Sequence, residues 1–427
     1  MRIVLVVALV VVAMVIPASP AMAQTTWYVA TTGSDTTGDG SSGNPWATIQ
    51  HAVDDGGVAD GDTIRVAAGI YNENVTIGKS LTLRGANAGV SAGSNPGSRG
   101  AESVVSGQIT IQVNNVVVDG FQINSAGSSG IYVNGGTSGH TFSNNIFNGP
   151  GAGVSARGIE FGGNTNGVAV GDSEFTNWAS GIYINPSSNI LVDGNDFHGN
   201  TAGIGSDGIN NVTVRYNDFT NNLEGWGYSD GGSVGGSNLE AHYNNFVNNT
   251  TAIANWTRLD ATPDLIDATS NWWGDPTGPL DDSPIGQYNP DGLGDPVTDW
   301  VTYDPFWTQE SGSGGGGCFI ATAAYGSYLD SHVQTLRAFR DSRMETSAVG
   351  SALVSAYYKV SPPIARFIDD HPALKPAVRA GLLPAVGLST ATVELNLAAK
   401  AAIAGSMLLV SALAIVWVRR RPLSQRP

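Results

Sequence analysis

Three carboxylic acids recur at a fixed interval in the middle of the chain: Glu174, Asp196 and Asp218, each 22 residues after the one before. Each acid precedes a phenylalanine, so in a β-strand it points away from its apolar neighbour. If units of 22 residues stack about 4.8 Å apart, the three acids share one face and neighbours repel by about 1 kcal/mol in bulk water. The sequence therefore predicts a carboxylate column whose charge must be offset.

The negative charge of this column could be offset in three ways. Water and salt can screen the charges, a calcium ion can be bound by Glu174, Asp196 and Asp218, or one carboxyl group can have a raised pKa and act as a general acid. Two carboxyl groups on adjacent units would lie near the distance found between the catalytic carboxyl groups of retaining glycosidases. Two carboxyl groups separated by one intervening unit would lie near the longer distance found in inverting glycosidases. The same three acids are therefore candidate metal ligands and candidate catalytic residues.

A second column places Asp193, Arg215 and His242 in successive units. It predicts either a ladder of salt bridges or an acid–base cluster in which Arg215 and His242 act in catalysis.

A loop near residue 290, "NPDGLGDP", spaces Asn289, Asp291 and Asp295 around glycines. In outline it resembles a calcium-binding loop, and an ordinary turn is the alternative interpretation.

The spacing of the acids reflects a repeat. The pattern apolar-x-apolar-x-x-Asn-x-aromatic occurs between residues 116 and 273, and its final positions are Ile123, Phe147, Phe175, Phe197, Phe219, Phe246 and Trp273. Apolar alternation within each unit is the period of a half-buried strand, and a second short strand follows in "GIYV", "GIEF" and "GIYI". Repeats of this length favour a mainly β solenoid, a right-handed parallel β-helix.

The asparagine position of the repeat predicts a structural ladder of side-chain amides. Its members are Asn145, Asn195, Asn217, Asn244 and Asn271. Before the repeats, "NPWATIQHAVDDG" has the apolar spacing of a short amphipathic helix that could cap the first coil. The proline-rich segment after Trp273 is expected to close the other end.

Two apolar runs bracket the chain. Residues 1–23 have the character of a secretory signal peptide, and residues 401–418 form an 18-residue run that can just span a bilayer. Because Arg419, Arg420 and Arg421 follow this second run, we expect the C-terminus to stay cytoplasmic and the intervening chain to be exported.

The exported region is strongly acidic. Residues 24–310 contain 7 basic and 30 acidic residues, a net charge of −23, and no cysteine. That charge disfavours nucleic acid as a partner. Acidic polysaccharides would also be repelled unless a cation such as calcium bridged them.

Several segments together resemble bacterial right-handed β-helix proteins of the pectin-lyase-like superfamily. They are "WYVATTGSD", "NPWATIQHAVDDG", "GDTIRVAAGIYNENVTI", "KSLTLRGAN", the Asn-x-Phe coils and "NWWGDPTGP", spanning residues 27 to about 307. The resemblance implies the β-helix fold. It implies no single activity, because the superfamily includes lyases, hydrolases and epimerases.

The superfamily's enzymes carry motifs that can be compared with this chain. Pectate lyases use calcium-binding carboxylates and a basic residue, for which Arg215 is the one centrally placed candidate. Polygalacturonase-like hydrolases carry Asn-Thr-Asp, Gly-His-Gly and Arg-Ile-Lys motifs, and this sequence has only "NTN" and "SGH" in their place. A hydrolase of that kind is therefore not expected.

The C-terminal part resembles a bacterial sorting module with a Cys-Phe-Ile box. The residues that carry this resemblance are "CFIATAAYGS", "LRAFRDSRM", "YYKVSPPIA" and the closing apolar run with its arginines. It implies routing to the envelope surface and processing by an envelope protease near the membrane segment, with Cys318 as the residue for covalent handling. A buried or free thiol is the alternative for Cys318.

The expected organisation has six parts. They are a signal peptide (1–23), an N-terminal cap with the first coils (24–103), the β-helix with its closing segment (104–310), a Gly/Ser linker (311–317), the helical sorting module (318–399), and a transmembrane helix with basic tail (400–427).

We interpret the protein as a membrane-tethered β-helix of the cell envelope that binds a glycan or a calcium-bridged polymer, or serves as an adhesive rod. A polysaccharide lyase or glycoside hydrolase is the alternative.

Overall fold

The computed structural model describes residues 24–93, 97, 99–125, 129–151, 154–230, 236–257, 265–308, 319–325, 331–340, 357, 368, 371 and 374–393. The predicted signal peptide (1–23), the linker (311–317), Cys318 and the predicted membrane span with Arg419, Arg420 and Arg421 lie outside these residues.

The strands between residues 26 and 302 form a parallel β-solenoid with three sheets along its length. Sheet 1 has eleven strands: β1 (Thr26–Val29), β2 (Thr63–Val66), β5 (Thr82–Arg84), β8 (Val117–Asp119), β11 (Thr141–Ser143), β14 (Asn166–Gly171), β17 (Ser188–Asp193), β20 (Asn210–Arg215), β23 (Ser237–His242), β26 (Ile266–Asp267) and β27 (Val301–Thr302). Sheet 2 has eight: β3 (Gly69–Tyr71), β6 (Ser103–Val105), β9 (Phe121–Ile123), β12 (Ile146–Asn148), β15 (Glu174–Thr176), β18 (Asp196–His198), β21 (Asp218–Thr220) and β24 (Asn245–Val247). Sheet 3 has eight: β4 (Val75–Ile77), β7 (Ile109–Ile111), β10 (Ile131–Val133), β13 (Arg157–Phe161), β16 (Ser180–Ile184), β19 (Ala202–Asp207), β22 (Glu224–Ser229) and β25 (Thr251–Asn255).

The predicted stacking of the aromatic residues is confirmed. Phe175, Phe197 and Phe219 pair in register between adjacent strands of sheet 2. Their ring centroids are 4.9 Å apart at both steps, with interplanar angles of 11° and 5°. All three side chains are fully buried. Each coil therefore buries its inner face against its neighbours, which explains why the chain repeats.

The predicted asparagine ladder is also present. Asn195 donates its Nδ2 hydrogen to Asn217 Oδ1 at 3.0 Å, and Asn217 donates in turn to Asn244 Oδ1 at 2.9 Å. These residues are fully buried. A second ladder runs parallel to the first, in which Asn200 donates to Asn222 and Asn222 to Asn249. Both ladders satisfy buried polar groups at the corners of the solenoid.

Both ends of the solenoid are covered. At the first coil, helix α1 (Ile49–Asp54) buries Ile49 and Val53 together with Trp46, as predicted for the capping helix. Thr48 caps its N-terminus by accepting from the His51 backbone N–H. At the other end, residues 265–308 close the solenoid, and β27 extends sheet 1 beyond β26. Covering the ends keeps the apolar side chains of the first and last coils out of water.

The predicted helical region has three helices within the described residues: α2 (Phe319–Tyr325), α3 (Ser331–Phe339) and α4 (Lys375–Val393). Val333 on α3 is fully buried. No helix within the described ranges has the length and apolar character needed to cross a bilayer.

Candidate functional site

The outer face of sheet 2 carries two columns of mostly polar side chains. Because β15, β18 and β21 pair in register, Glu174 lies beside Asp196 and Asp196 beside Asp218, as the sequence predicted. The second column, two residues further along each strand, places His198 between Thr176 and Thr220. Hydrogen-bonding groups therefore face outward on consecutive coils.

His198 joins the carboxylate column, a contact that the sequence analysis missed. Its Nε2 lies 3.2 Å from Glu174 Oε1, across one coil step. Its Nδ1 lies 3.4 Å from the Thr176 hydroxyl. The side chains of Glu174 and His198 are 29% and 39% exposed, so this pair is accessible from solvent. The alternation of strand side chains was the available signal, because Asp196 and His198 are two residues apart and face the same side.

The environment changes the proton affinities of this cluster. The pKa of Asp196 is raised to about 6, mainly because the carboxyl group is buried; the nearby His198 lowers this pKa and Glu174 raises it, both by less than burial does. The hydrogen bond to Glu174 raises the pKa of His198, and burial of the imidazole lowers it by a smaller amount. The cluster therefore holds a carboxyl group that exchanges its proton near pH 6 and a histidine whose charged form is favoured by its neighbour.

Groups of the protein itself offset the charge of the column. His198 pairs with Glu174, and Asp218 Oδ1 accepts a hydrogen bond of 2.7 Å from Asn245 Nδ2. In the described part of the chain, no group of three or more His, Cys, Asp or Glu side chains is arranged to hold a metal ion. The calcium site at Glu174, Asp196 and Asp218 thus stays a prediction.

The second predicted column is present and contains a salt bridge. Asp193 pairs with Arg215 and Arg215 with His242 along sheet 1. Arg215 Nε lies 2.9 Å from Asp193 Oδ2, and the Asp193 side chain is only 1% exposed. His242 Nδ1 instead lies 2.9 Å from the Thr269 carbonyl oxygen. A buried carboxylate with a guanidinium partner fits the ladder alternative.

The two acids of the predicted calcium loop have different environments. Asp295 is buried, and its Oδ2 accepts hydrogen bonds of 2.7 Å from both the backbone N–H and Nδ2 of Asn249. Asp295 therefore ends the second asparagine ladder. Asp291 is exposed, and Asn289 donates to the carbonyl oxygens of Thr277 and Pro279. These bonds are those of an ordered turn.

A cavity of about 390 Å³ lies on the outer face of sheet 1 near its N-terminal end. Its lining includes Tyr28, Arg65 and Arg84, which occupy one column on consecutive strands. The walls come from residues 42–45 and 85–88. No sequence pattern predicts this cavity, because these coils precede the aligned repeats and the walls are irregular loops.

The central coils match a known family model. Residues 106–263 match the model described as "Right handed beta helix region". Among curated proteins, the chain is 39% identical over 97 residues to a "Cell surface glycoprotein" of Methanothermus fervidus. The matched segment is 23% of this chain and spans only 15% of that relative's length.

Several solved structures align with the chain at low sequence identity. Pectate lyase Pel9A has a TM-score of 0.40 at 15% identity, covering 70% of this chain and 82% of that one. A rhamnogalacturonan lyase has a TM-score of 0.40 at 10% identity, covering 67% and 87%. A lacto-N-biosidase from Eubacterium ramulus has a TM-score of 0.32 at 12% identity, covering 58% and 60%.

Proposed function

We propose that the protein is an exported β-helix of the cell surface that binds an extracellular glycan on the outer faces of its solenoid. One observation carries the proposal: Glu174, Asp196 and His198 are gathered, partly exposed, on the rigid strands of sheet 2. Carboxylates accept hydrogen bonds from hydroxyl groups, and an imidazole can donate or accept them. Rigid strands hold these groups in place before a ligand arrives, which lowers the entropy lost on binding.

The location is proposed on three grounds. The relative from Methanothermus fervidus is described as a cell surface glycoprotein. The sequence predicts export by residues 1–23 and anchoring by residues 401–418, with Arg419, Arg420 and Arg421 on the cytoplasmic side. The Cys-Phe-Ile module would direct sorting, and an envelope protease would process the chain near the membrane segment, with Cys318 as the residue for covalent handling.

Binding is tested with the full-length protein and a panel of immobilised cell-wall and matrix polysaccharides, with and without calcium. We expect saturable binding to one glycan class, weakened at least tenfold by Asp196→Asn or His198→Gln. Glu240→Gln is the matched control, because it removes a carboxylate from the outer face of sheet 1, outside the cluster. A protein that binds no glycan would instead be the passive rod, and binding that requires calcium would support the bridged polymer.

Catalysis on the bound glycan is a second candidate, because the pKa of Asp196 is raised to about 6 beside a second carboxyl group. A carboxylic acid that is partly protonated near neutral pH can donate a proton to a leaving oxygen, and a neighbouring carboxylate can stabilise the positive charge that develops.

The two candidates are separated by incubating the protein with any glycan that binds and following reducing ends and the absorbance of unsaturated products. Turnover by the wild type that Asp196→Asn abolishes even at saturating glycan would establish an enzyme. Stable, unmodified glycan after prolonged incubation would leave binding as the function.

A further inference from the structure

Two arginines lie side by side in the cavity on the outer face of sheet 1. Arg65 on β2 and Arg84 on β5 pair in register, and Tyr28 on β1 precedes them in the same outward column. Adjacent strands of a sheet are about 4.8 Å apart, so the two cationic side chains leave neighbouring strands on the same face. Like charges at this spacing repel each other. The pairing is therefore a cost that the fold alone does not explain.

Positive charge is concentrated at this cavity. Residues 24–310 contain 7 basic and 30 acidic residues, and Arg65 and Arg84 are two of the basic ones. They are the only charged side chains among the described residues that line the cavity. Charges further away than about 8 Å are largely screened at physiological ionic strength. The potential in the cavity is therefore set by its own arginines and their closest neighbours, not by the acidic surface elsewhere.

One acid lies next to the arginine pair. Asp119 on β8 follows Arg84 in the same column and is buried. Its Oδ1 accepts hydrogen bonds from the Gly89 backbone N–H at 3.0 Å and from Asn144 Nδ2 at 2.7 Å. Asp119 balances part of the charge of Arg84, and Arg65 lies one strand further away from it. Two guanidinium groups and one carboxylate leave the column net positive.

The cavity has room for a sugar that carries an anionic group. Its volume of about 390 Å³ lies within the range of small-molecule sites, about 300–1,000 Å³. Small side chains line much of it, namely Ala30, Ala67, Ala86 and Ala88. Each guanidinium presents several N–H donors in a rigid fork, and the Tyr28 hydroxyl can donate one further hydrogen bond. The lining therefore combines space for a ring with a group of donors suited to an anion.

We propose that this cavity binds a tetrahedral oxyanion, a phosphate or sulfate monoester of a sugar, between Arg65 and Arg84. A carboxylate has two oxygens, and a single guanidinium fork occupies both. A phosphate or sulfate monoester has three free oxygens, so it can accept hydrogen bonds from both guanidinium groups and from the Tyr28 hydroxyl. The site goes beyond the glycan site proposed on sheet 2, because it lies on another sheet and its ligand is anionic.

The test is isothermal titration calorimetry of the full-length protein at low ionic strength, with a hexose phosphate, a hexose sulfate and glucuronate as probes. We expect the phosphate or the sulfate to bind saturably, and glucuronate to bind at least tenfold more weakly. The tighter of the two esters identifies the natural group. Because the contact is ionic, added salt should weaken this binding.

The variants test the role of the arginine pair. Arg65→Gln should weaken binding of the tighter ester at least tenfold. Arg65→Lys keeps the charge but replaces the planar fork with a single ammonium group, so a loss of about two- to fivefold is expected. Arg157→Gln is the matched control, because it removes the same charge from sheet 3, outside the cavity. Urea unfolding shows whether each variant is folded, and Arg65→Lys carries the test if Arg65→Gln is not.

Some results would overturn the inference. Glucuronate that binds as tightly as both esters, or equal losses in Arg65→Gln and Arg157→Gln, would exclude a built oxyanion site. A wild-type protein that binds glycans but neither ester would refute this site alone, and one that binds an ester but no glycan would refute only the proposed function. Asp196→Asn should bind the ester like the wild type, and a loss of ester binding in that variant would place the anion at sheet 2 instead.

Discussion

Truncation of one ladder asparagine, Asn217→Ala, should destabilise the solenoid far more than the size of the side chain suggests. The Asn217 amide makes five hydrogen bonds of 2.9–3.0 Å: from Nδ2 to Val192 O, Arg215 O and Asn244 Oδ1, and to Oδ1 from the backbone N–H and Nδ2 of Asn195. The residue is fully buried, so water cannot replace the lost partners.

The expected magnitude follows from this geometry. A net hydrogen bond contributes about 1 kcal/mol, and each buried group left without a partner costs about 1–3 kcal/mol. Because two donors of Asn195 and the Val192 carbonyl lose a partner, we expect a loss of about 3–5 kcal/mol in the free energy of unfolding. A domain is typically stable by only about 5–15 kcal/mol, so this loss would be readily measured.

The assay is urea unfolding of the full-length protein, followed by circular dichroism. The matched control is Asn148→Ala, which makes the same chemical change at an outward, partly exposed position on β12. We expect a change of about 0.5 kcal/mol or less there. A loss of under about 1 kcal/mol for Asn217→Ala, or equal losses for the two variants, would show that the ladder does not hold the coils together.

Three further outcomes are expected. Arg215→Gln removes the guanidinium paired with the buried Asp193 carboxylate, so the free energy of unfolding at pH 7 should fall by about 3 kcal/mol. Adding Asp193→Asn should recover most of this loss. Strictly additive losses for the two substitutions in urea unfolding would contradict the pairing. Phe197→Ala should lower the free energy of unfolding by about 3–5 kcal/mol, and Phe197→Leu should lower it by under about 1.5 kcal/mol. Equal losses for the two variants would exclude a close-packed aromatic stack. The pKa of His198 is raised in the fold, so its pairing with Glu174 stabilises the protein below the unfolded histidine pKa of about 6.5, and this stabilisation is lost as the pH rises through the folded pKa. Urea unfolding measured between pH 5.5 and 8 should therefore show the free energy of unfolding of the wild type falling towards that of Glu174→Gln. A difference between the two proteins that stays constant with pH would refute the pairing.

The sequence was sufficient to predict the features that every coil must share. Alignment of the repeats alone predicted the phenylalanine stack, the first asparagine ladder and the column of Asp193, Arg215 and His242, because register in a solenoid follows directly from equivalent positions. The second ladder could have been predicted in the same way, since Asn200, Asn222 and Asn249 each lie three residues after the aromatic position.

Features that depend on irregular geometry could not be predicted. The cavity at Arg65 and Arg84 needs walls formed by loops whose course no periodicity specifies. The neighbours that form it are distant in sequence and occupy no repeated position.

The repeats also separate the residues that stabilise the solenoid from those available for binding. At the inward position of sheet 2, Phe147, Phe175, Phe197, Phe219 and Phe246 are identical from coil to coil. At the outward position one residue earlier, the same coils carry Ile146, Glu174, Asp196, Asp218 and Asn245. All five outward residues fit the same backbone, so folding does not require any one of them. The raised pKa of the buried Asp196 and the carboxylates side by side are costs to stability that the fold tolerates. Their concentration in three adjacent coils is therefore better explained by a ligand on that face than by the needs of the solenoid.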